Sequence, residues 1–234
     1  MERRAAPAAG GEIARRSNPA DLRSEGEGGA PGLPFIMSQY QRMERVLRAV
    51  TVALLLMSAI LSAQAQNFQE RLEVCLACHG PKGQSDAPDV PSLGGQPSPY
   101  VLIQLYMFRE KLRVSEIMNE MTKDLSDADL QKFADTIAKL PPPPPTTEGA
   151  DAGKMERGRA LAGQHRCDFC HQANFAGADS VPRLAGQRED YLLKALREYK
   201  SGERREYQSV MAEVMRPLQE ADFADLAHFL ARTK

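Results

Sequence analysis

The 234-residue chain has no marked excess of either charge, only one long apolar run, and only four cysteines. Its 30 Lys and Arg residues are balanced by 31 Asp and Glu residues, which argues against a nucleic-acid-binding protein because such proteins normally carry a basic excess. The mean hydropathy of -0.43 excludes a polytopic membrane protein. The length allows one large domain or two small ones.

The apolar run, residues 49–61, has arginines before it and an Ala-x-Ala site after it. This order predicts a secretory signal peptide over 37–65, with cleavage before Gln66. An uncleaved membrane anchor is the alternative, but the run is short for the roughly 20 residues that a span needs. Residues 1–36 show no apolar period and are interpreted as a disordered extension or as sequence upstream of a start at Met37. We therefore expect an exported, slightly acidic protein.

The rest of the sequence is a duplication. The matched segments are 75–79 with 167–171, 90–96 with 181–187, 100–102 with 191–193, and 125–130 with 218–223. Because these landmarks recur in the same order at nearly constant spacing, we predict two tandem domains, a first half at 66–140 and a second half at 154–234.

A linker at 141–153 joins the halves, and its run of prolines, Pro141 to Pro145, predicts a stiff polyproline II spacer. Each half is small for a self-sufficient hydrophobic core. Something besides the polypeptide must therefore contribute to that core.

The spacing of apolar residues predicts an all-α fold without strands. Residues such as Leu130, Phe133 and Ile137 recur at helical spacing, with Ser126 as the predicted N-cap of that last helix and Pro141 beyond its end. The other predicted helices are 71–78, 99–113, 154–170 and 188–201, and the predicted loops are 80–97 and 172–187. Loops of that length indicate that they surround something functional.

All four cysteines lie in two Cys-x-x-Cys-His motifs. Two disulfides are the ordinary use of four cysteines in an exported protein, but here each pair is closely spaced and directly precedes a histidine. A thioredoxin-type motif would need a βαβ context, and zinc binding by the two motifs is a further alternative. The motif is the attachment signature of c-type haem, in which the thiols bond to the porphyrin and the imidazole ligates the iron. We predict two covalently attached haem c groups, held by Cys75, Cys78, His79, Cys167, Cys170 and His171.

The second axial ligand of each iron must come from farther along the chain, and methionine is the best-represented candidate. The candidates are Met107, Met118 and Met121 in the first half, and Met211 and Met215 in the second. Only Met118 and Met211 stand at the same position of the repeat, so we predict them as the distal ligands. Met121 and Met215 are the alternatives, and core packing is the ordinary role of the others.

Two further histidines and two prolines bear on the site. His165 precedes the second motif on the same predicted helix and therefore cannot reach the opposite haem face, while His228 is predicted to be a surface or edge residue. A ligating histidine normally donates its other ring N–H to a fixed acceptor, and the carbonyls of Pro91 and Pro182 are the predicted acceptors, with loop stiffening as the alternative. The matched tyrosines, which either contact a haem propionate or simply pack, are Tyr100 and Tyr191.

With these features the chain resembles the diheme class I cytochromes c of the cytochrome c4 type. The features that carry the resemblance are the paired motifs, the Pro-x-Leu-x-Gly-Gln segments, and the matched methionines before Leu-Ser-Asp-Ala-Asp and its copy. The resemblance covers nearly all of 68–234. It implies two tandem class I cytochrome c domains, each wrapped around one haem with a His/Met-ligated iron, and a periplasmic electron carrier of a respiratory chain. This sequence departs from the family in its proline-rich linker and in Gln172, which stands where Gly80 follows the first motif.

The resemblance implies redox partner proteins such as a terminal oxidase, a quinol-oxidising complex or a periplasmic dehydrogenase, with no nucleic acid, and it leaves peripheral membrane association open. A cytochrome c subunit of a periplasmic dehydrogenase complex is the alternative function. A diheme peroxidase or thiosulfate-oxidising enzyme would need an open or unusually ligated iron, and no cysteine is left over to ligate one. We therefore expect an electron-transfer protein and not an enzyme.

Overall fold

The computed structural model describes residues 33–204 and 209–234. The chain divides into an N-terminal part, Met1–Leu61, and a compact unit, Ser62–Lys234. Most of the segment 1–36 lies outside the described residues, so the interpretation of that segment stays a prediction.

The first helix, α1 (Leu33–His79), begins before the predicted signal peptide and ends at the histidine of the first motif. The side chains of its apolar run, such as Leu54 and Leu56, are exposed. Among the described residues, no helix combines the length and the apolar character that a membrane span requires. Cleavage before Gln66 stays a prediction.

The compact unit is helical, as the sequence predicts. Its further helices are α2 (Ser98–Arg109), α3 (Glu116–Thr122), α4 (Asp127–Ala138), α5 (Ala152–Gln164), α6 (Cys167–His171), α7 (Glu189–Ser201), α8 (Ser209–Met215) and α9 (Glu220–Ala231). In the described ranges the β-structure is confined to one isolated bridge between Ala178 and Val181. The all-α fold class is confirmed.

Local sequence signals explain several helix ends. The Ser126 side chain caps α4 by accepting a hydrogen bond from the Asp129 N–H, and the Asp129 carboxylate accepts from the Ser126 N–H in return. Gly202 ends α7 in the left-handed conformation. One predicted helix, 154–170, is wrong: Arg166 has a φ of 52°, which separates α5 from α6. The second motif therefore begins a short helix of its own.

The two halves pack around matched helix pairs. In the first half α2 packs on α4, and Phe68 of α1 contacts Phe133 with ring centroids 4.7 Å apart. In the second half α5 and α7 both pack on α9, and Phe175 meets Phe229 edge-to-face at 5.7 Å. The long loops 80–97 and 172–187 contain no helix, as predicted.

A glycine brings α5 unusually close to α9. A Cβ atom at Gly158 would lie 2.2 Å from the Asp225 carbonyl oxygen and 2.6 Å from the Phe229 Cβ. Beside this contact, the Arg157 guanidinium donates to both carboxylate oxygens of Asp225 at 2.6 and 2.9 Å. The absence of a side chain at residue 158 therefore sets the helix separation.

The linker prolines contact both halves. A Cβ at Gly95 would lie 2.9 Å from the Pro142 Cβ, and a Cβ at its repeat partner Gly186 would lie 2.5 Å from the Pro143 carbonyl oxygen. Gln84 also donates to the Pro142 carbonyl at 3.0 Å. The prolines thus form a strip that is packed against matched glycines of the two halves.

Candidate haem sites

The second motif places its histidine in a buried, oriented position. His171 is only 5% exposed, and its Nδ1 lies 2.9 Å from the Pro182 carbonyl oxygen. Because a carbonyl only accepts, Nδ1 carries the proton and Nε2 is left with its lone pair. Burial lowers the pKa of His171, which favours the neutral imidazole that a metal ligand must be.

The first motif repeats this geometry at the end of α1. The Nδ1 atom of His79 lies 2.8 Å from the Pro91 carbonyl oxygen, and burial likewise lowers the pKa of this histidine. The predicted hydrogen bonds to the two proline carbonyls are therefore confirmed in both halves. Each holds an imidazole ring in one orientation with its other nitrogen free for an iron.

None of the four cysteines is in a disulfide, and one member of each pair is half-buried while the other is exposed. Within the described residues, no three His, Cys, Asp or Glu side chains converge as a zinc site would require. The motifs fit two thioether bonds better than the zinc alternative.

A cavity beside His171 contains the predicted distal ligand of the second half. Its wall includes Cys170, His171 and Met211, together with apolar side chains such as Leu196 and Leu230. The alternative, Met215, is only 2% exposed, belongs to the hydrophobic core and is not among the residues that line the cavity. The structure thus brings Met211 and His171 to one cavity and leaves Met215 outside it.

One side of the cavity is polar and cationic. The Tyr191 hydroxyl accepts from Arg204 Nη2 at 2.9 Å and from Arg113 Nη2 at 3.3 Å, and Tyr100 lies on the same wall. Buried Arg204 Nε has no well-directed hydrogen bond, although Glu198 Oε2 lies 3.0 Å away. Apolar walls beside a surplus of cationic donors fit a haem, whose ring is apolar and whose propionates are anionic.

The distal candidates of the first half lie on α3. Met118 is half-buried and is the third residue of α3, just as Met211 is the third residue of α8. Met121 is 48% exposed, and Met107 is buried on α2. Neither short helix was predicted, yet the two occupy matched places and present the matched methionines.

His228 corrects one prediction. It is 2% exposed rather than at the surface, because both ring nitrogens have hydrogen-bonding partners, one in the linker and one in the second half. Its Nε2 accepts from the Asp151 backbone N–H at 3.0 Å, and its Nδ1 lies 3.1 Å from Glu189 Oε1. It therefore anchors the end of the linker. His165, the C-cap of α5, is separated from the second motif by the break at Arg166.

The two arginines that donate to the Tyr191 hydroxyl were missed from sequence. Arg113 and Arg204 stand at matched positions, and each lies over an aromatic ring, that of Phe108 at 4.5 Å and that of Tyr199 at 5.0 Å. The repeat could have revealed them, because an arginine recurs in both copies between the middle helix and the predicted distal methionine.

Comparisons with known proteins agree with this geometry. A family model described as Cytochrome c matches residues 155–234. The chain is 33% identical over 151 residues to cytochrome c4 of Azotobacter vinelandii, covering 58% of this chain and 72% of that protein. It is also 33% identical over 178 residues to the thiosulfate dehydrogenase electron acceptor of Thiomonas intermedia, covering 72% of this chain and 81% of that protein.

The fold matches a solved structure over almost its whole length. The crystal structure of reduced recombinant cytochrome c4 from Pseudomonas stutzeri superposes with a TM-score of 0.65 at 28% identity, covering 73% of this chain and 98% of that one. The repeated motifs, the two oriented histidines and these relatives lead to one assignment. The chain belongs to the cytochrome c4 family of diheme class I cytochromes c and is an electron carrier with two covalently attached haem c groups.

Proposed function

We propose that the protein is a periplasmic electron carrier of a respiratory chain in which His79 and Met118 ligate one iron and His171 and Met211 ligate the other. The observation that carries the proposal is the cavity that Met211 and His171 share while Met215 lies in the core. The matched place of Met118 on α3 extends the same assignment to the first half. Methionine ligation raises the reduction potential relative to two histidines, which suits delivery to a high-potential acceptor.

The bound haem supplies one-electron redox chemistry, and the chain supplies its surroundings. The proline carbonyls at Pro91 and Pro182 orient the imidazoles, and the apolar walls of the cavity exclude water from the second site. The cationic side of the cavity, with Arg204 and Tyr191, offers donors for carboxylates. These roles need no catalytic side chain.

The experiment that tests the ligand assignment compares four variants. Met118→Ala and Met211→Ala should each abolish the methionine–iron charge-transfer absorption of one haem only. Met121→Ala, at an exposed position, should leave the absorption of both haems intact. Met215→Ala should also leave it intact while lowering the free energy of unfolding by about 2–5 kcal/mol, because it opens a cavity in the core. Loss of both absorption contributions, or of neither, in Met118→Ala or in Met211→Ala would contradict the assignment.

The proposal further excludes an enzymatic role, because each half offers a methionine for the sixth position of its iron. The reduced protein should therefore not bind carbon monoxide at neutral pH. Stoichiometric binding at one haem would instead favour the peroxidase or thiosulfate-oxidising alternative, since such enzymes need an open or displaceable position.

The domain organisation and export belong to the same proposal. The cytochrome domains are 66–140 and 154–234, joined by the linker 141–153, and the segment 37–65 is a signal peptide. Support comes from core clusters that fall wholly within one half or the other. The intact mass of the haem-loaded protein purified from whole cells should correspond to a chain beginning at Gln66, and a mass that retains 37–65 would favour the membrane anchor.

A second candidate function is electron acceptor of a periplasmic dehydrogenase complex. The relative from Thiomonas intermedia, named a thiosulfate dehydrogenase electron acceptor, favours it because the match covers 81% of that protein. Mixing the oxidised protein with a thiosulfate dehydrogenase and thiosulfate, and following haem reduction by absorbance, would test it. Fast reduction and copurification with such an enzyme would favour this role over a freely diffusing carrier.

A further inference from the structure

The two loops that orient the proximal histidines meet each other, and a glutamine from each half reaches across. Gln187, in the second half, accepts at Oε1 from the Ser92 N–H at 2.8 Å and donates from Nε2 to the Ser92 carbonyl at 2.8 Å. Both residues are buried, at 3% exposure each. The amide of Gln187 is thereby paired with the backbone of one first-half residue.

The reverse contact has the same form. Gln96, in the first half, accepts from the Arg183 N–H at 3.0 Å and donates to the Arg183 carbonyl at 2.9 Å. Gln96 and Gln187 are repeat partners, as are Ser92 and Arg183. The contact is therefore symmetric between the halves, and each glutamine hydrogen-bonds to the backbone of the other half.

The residues that the two glutamines contact belong to the peptide groups that hold the proximal histidines. Ser92 directly follows Pro91, so one peptide group accepts from His79 Nδ1 through its carbonyl and donates to Gln187 through its N–H. The peptide group between Pro182 and Arg183 does the same for the other half. Hydrogen bonds at the two ends of one amide polarise each other, so the glutamine makes the carbonyl a stronger acceptor.

A stronger acceptor at Nδ1 increases the electron density that the imidazole gives to a bound metal. We propose that Gln96 and Gln187 are crossed positioning residues, each of which tunes the reduction potential of the haem in the opposite half through the peptide group that holds its histidine. The inference rests on the proposed ligation by His79 and His171. It makes the potential of each haem depend on the docking of the two halves.

The test measures the reduction potential of each haem separately in Gln187→Leu and Gln96→Leu proteins carrying both haems. Hyperfine-shifted haem methyl signals, assigned to each half by nuclear Overhauser contacts, report the redox state of each haem during the titration. Gln187→Leu should raise the potential of the first-half haem and leave that of the second half unchanged, because a weakened carbonyl acceptor destabilises the ferric state. Gln96→Leu should give the reverse pattern.

Matched variants separate tuning from damage to the interface. Gln84→Leu removes an amide that donates to the linker carbonyls of Pro141 and Pro142 and touches no histidine-bearing peptide, so it should move neither potential. Gln187→Asn keeps the amide but is too short to reach Ser92, and it should reproduce the shift if the leucine variant fails to fold. If a substitution merely loosened the interface and admitted water, the ferric state would be stabilised and the reduction potential would fall. This shift is opposite in sign to the rise that the proposal predicts.

The outcomes also separate this inference from the proposed ligation. In the reduced protein the Nδ1 protons of His79 and His171 should show the ring-current shift of a haem ligand, and its absence would overturn the ligation itself. With ligation intact, a shift in the haem of the substituted half, equal shifts of both haems, or no shift in either would overturn the crossed tuning. Only a shift confined to the opposite half supports it.

Discussion

The two halves follow one plan but bury their apolar side chains differently. In the second half, thirteen buried residues form one continuous cluster, built around α9. In the first half the described buried residues fall into two smaller clusters, one around Leu130 and Phe133 and one around Ala134 and Ile137. Acidic residues outnumber basic ones in 66–140, and the reverse holds in 154–234. The same haem-binding motif is thus supported by two unequal cores.

The unequal cores imply that the two halves depend on their haems to different degrees. Small domains seldom bury enough apolar surface to be stable without a further contribution. The second half has a close α5–α9 contact and an edge-to-face Phe175–Phe229 pair, whereas the first half pairs buried Phe133 with half-buried Phe68. We expect the haem to be a larger share of the core in the first half.

The largest expected effect comes from removing one haem at a time. Cys75→Ser with Cys78→Ser should delete one haem from the intact mass and unfold most of the first half. Cys167→Ser with Cys170→Ser should delete the other haem but retain more helical circular dichroism, because the larger core partly persists. Equal losses of helicity in the two double variants would contradict the unequal cores.

The next effect tests the close contact between α5 and α9 in the second half. Gly158→Ala should lower the free energy of unfolding by about 3 kcal/mol, since its Cβ would overlap the Asp225 carbonyl and force α5 away from α9. The matched control in the same helix is Gly163→Ala, which meets nothing within 4 Å and should raise stability by about 0.5 kcal/mol. Guanidinium unfolding of the holoprotein measures both, and similar values for the two would show that the close approach is unimportant.

A smaller effect is expected at the anchor of the linker. His228→Ala leaves the Asp151 N–H without its acceptor and removes one of the two side-chain partners of the Glu189 carboxylate, the other being Arg232, and it should cost about 1–2 kcal/mol. Because His228 ligates no iron, the visible spectra of both haems should stay unchanged. A loss of methionine–iron absorption in this variant would mean that its burial serves the haem site directly.

The smallest effect is the pH dependence that Glu189 contributes in the second half. Burial raises the pKa of Glu189, but hydrogen bonds from Arg232 and His228 outweigh this and hold the pKa below its ordinary value. The resulting stabilisation is present above the unfolded carboxyl pKa of about 4.3 and is lost as the pH falls through the lower folded value. Glu189→Gln should therefore be less stable than the unsubstituted protein at pH 7, with the difference shrinking in acid. Unfolding measured between pH 7 and pH 3 checks this, and a difference that grows on acidification would contradict it.

The repeat carried much of what could be predicted from sequence. It paired the two motifs, and with local capping rules it located α2, α4, α7 and α9 and the proline acceptors at Pro91 and Pro182. It did not predict α3 and α8, because helices of one or two turns lack a sustained apolar period. The break at Arg166 was missed because a left-handed arginine has no sequence signature, and tertiary contacts impose it.

The buried position of His228 was missed for a related reason. Its partners, the Asp151 backbone and Glu189, are distant in sequence, so the polar contacts that make its burial tolerable appear only in three dimensions. In the sequence, Gln96 and Gln187 stand out only as a glutamine that recurs in both halves. Their proposed role can be inferred only from the structure, which shows that Ser92 and Arg183 contact the glutamine of the opposite half.

The central claim is that two haems with His/Met-ligated irons share one electron carrier. A potentiometric titration of the purified protein, followed in the visible spectrum, tests it most directly. We predict two one-electron transitions, both at the high potentials of methionine-ligated haem and both accompanied by loss of the methionine–iron absorption on reduction. A single transition, or a transition at the low potential typical of two histidine ligands, would contradict the account.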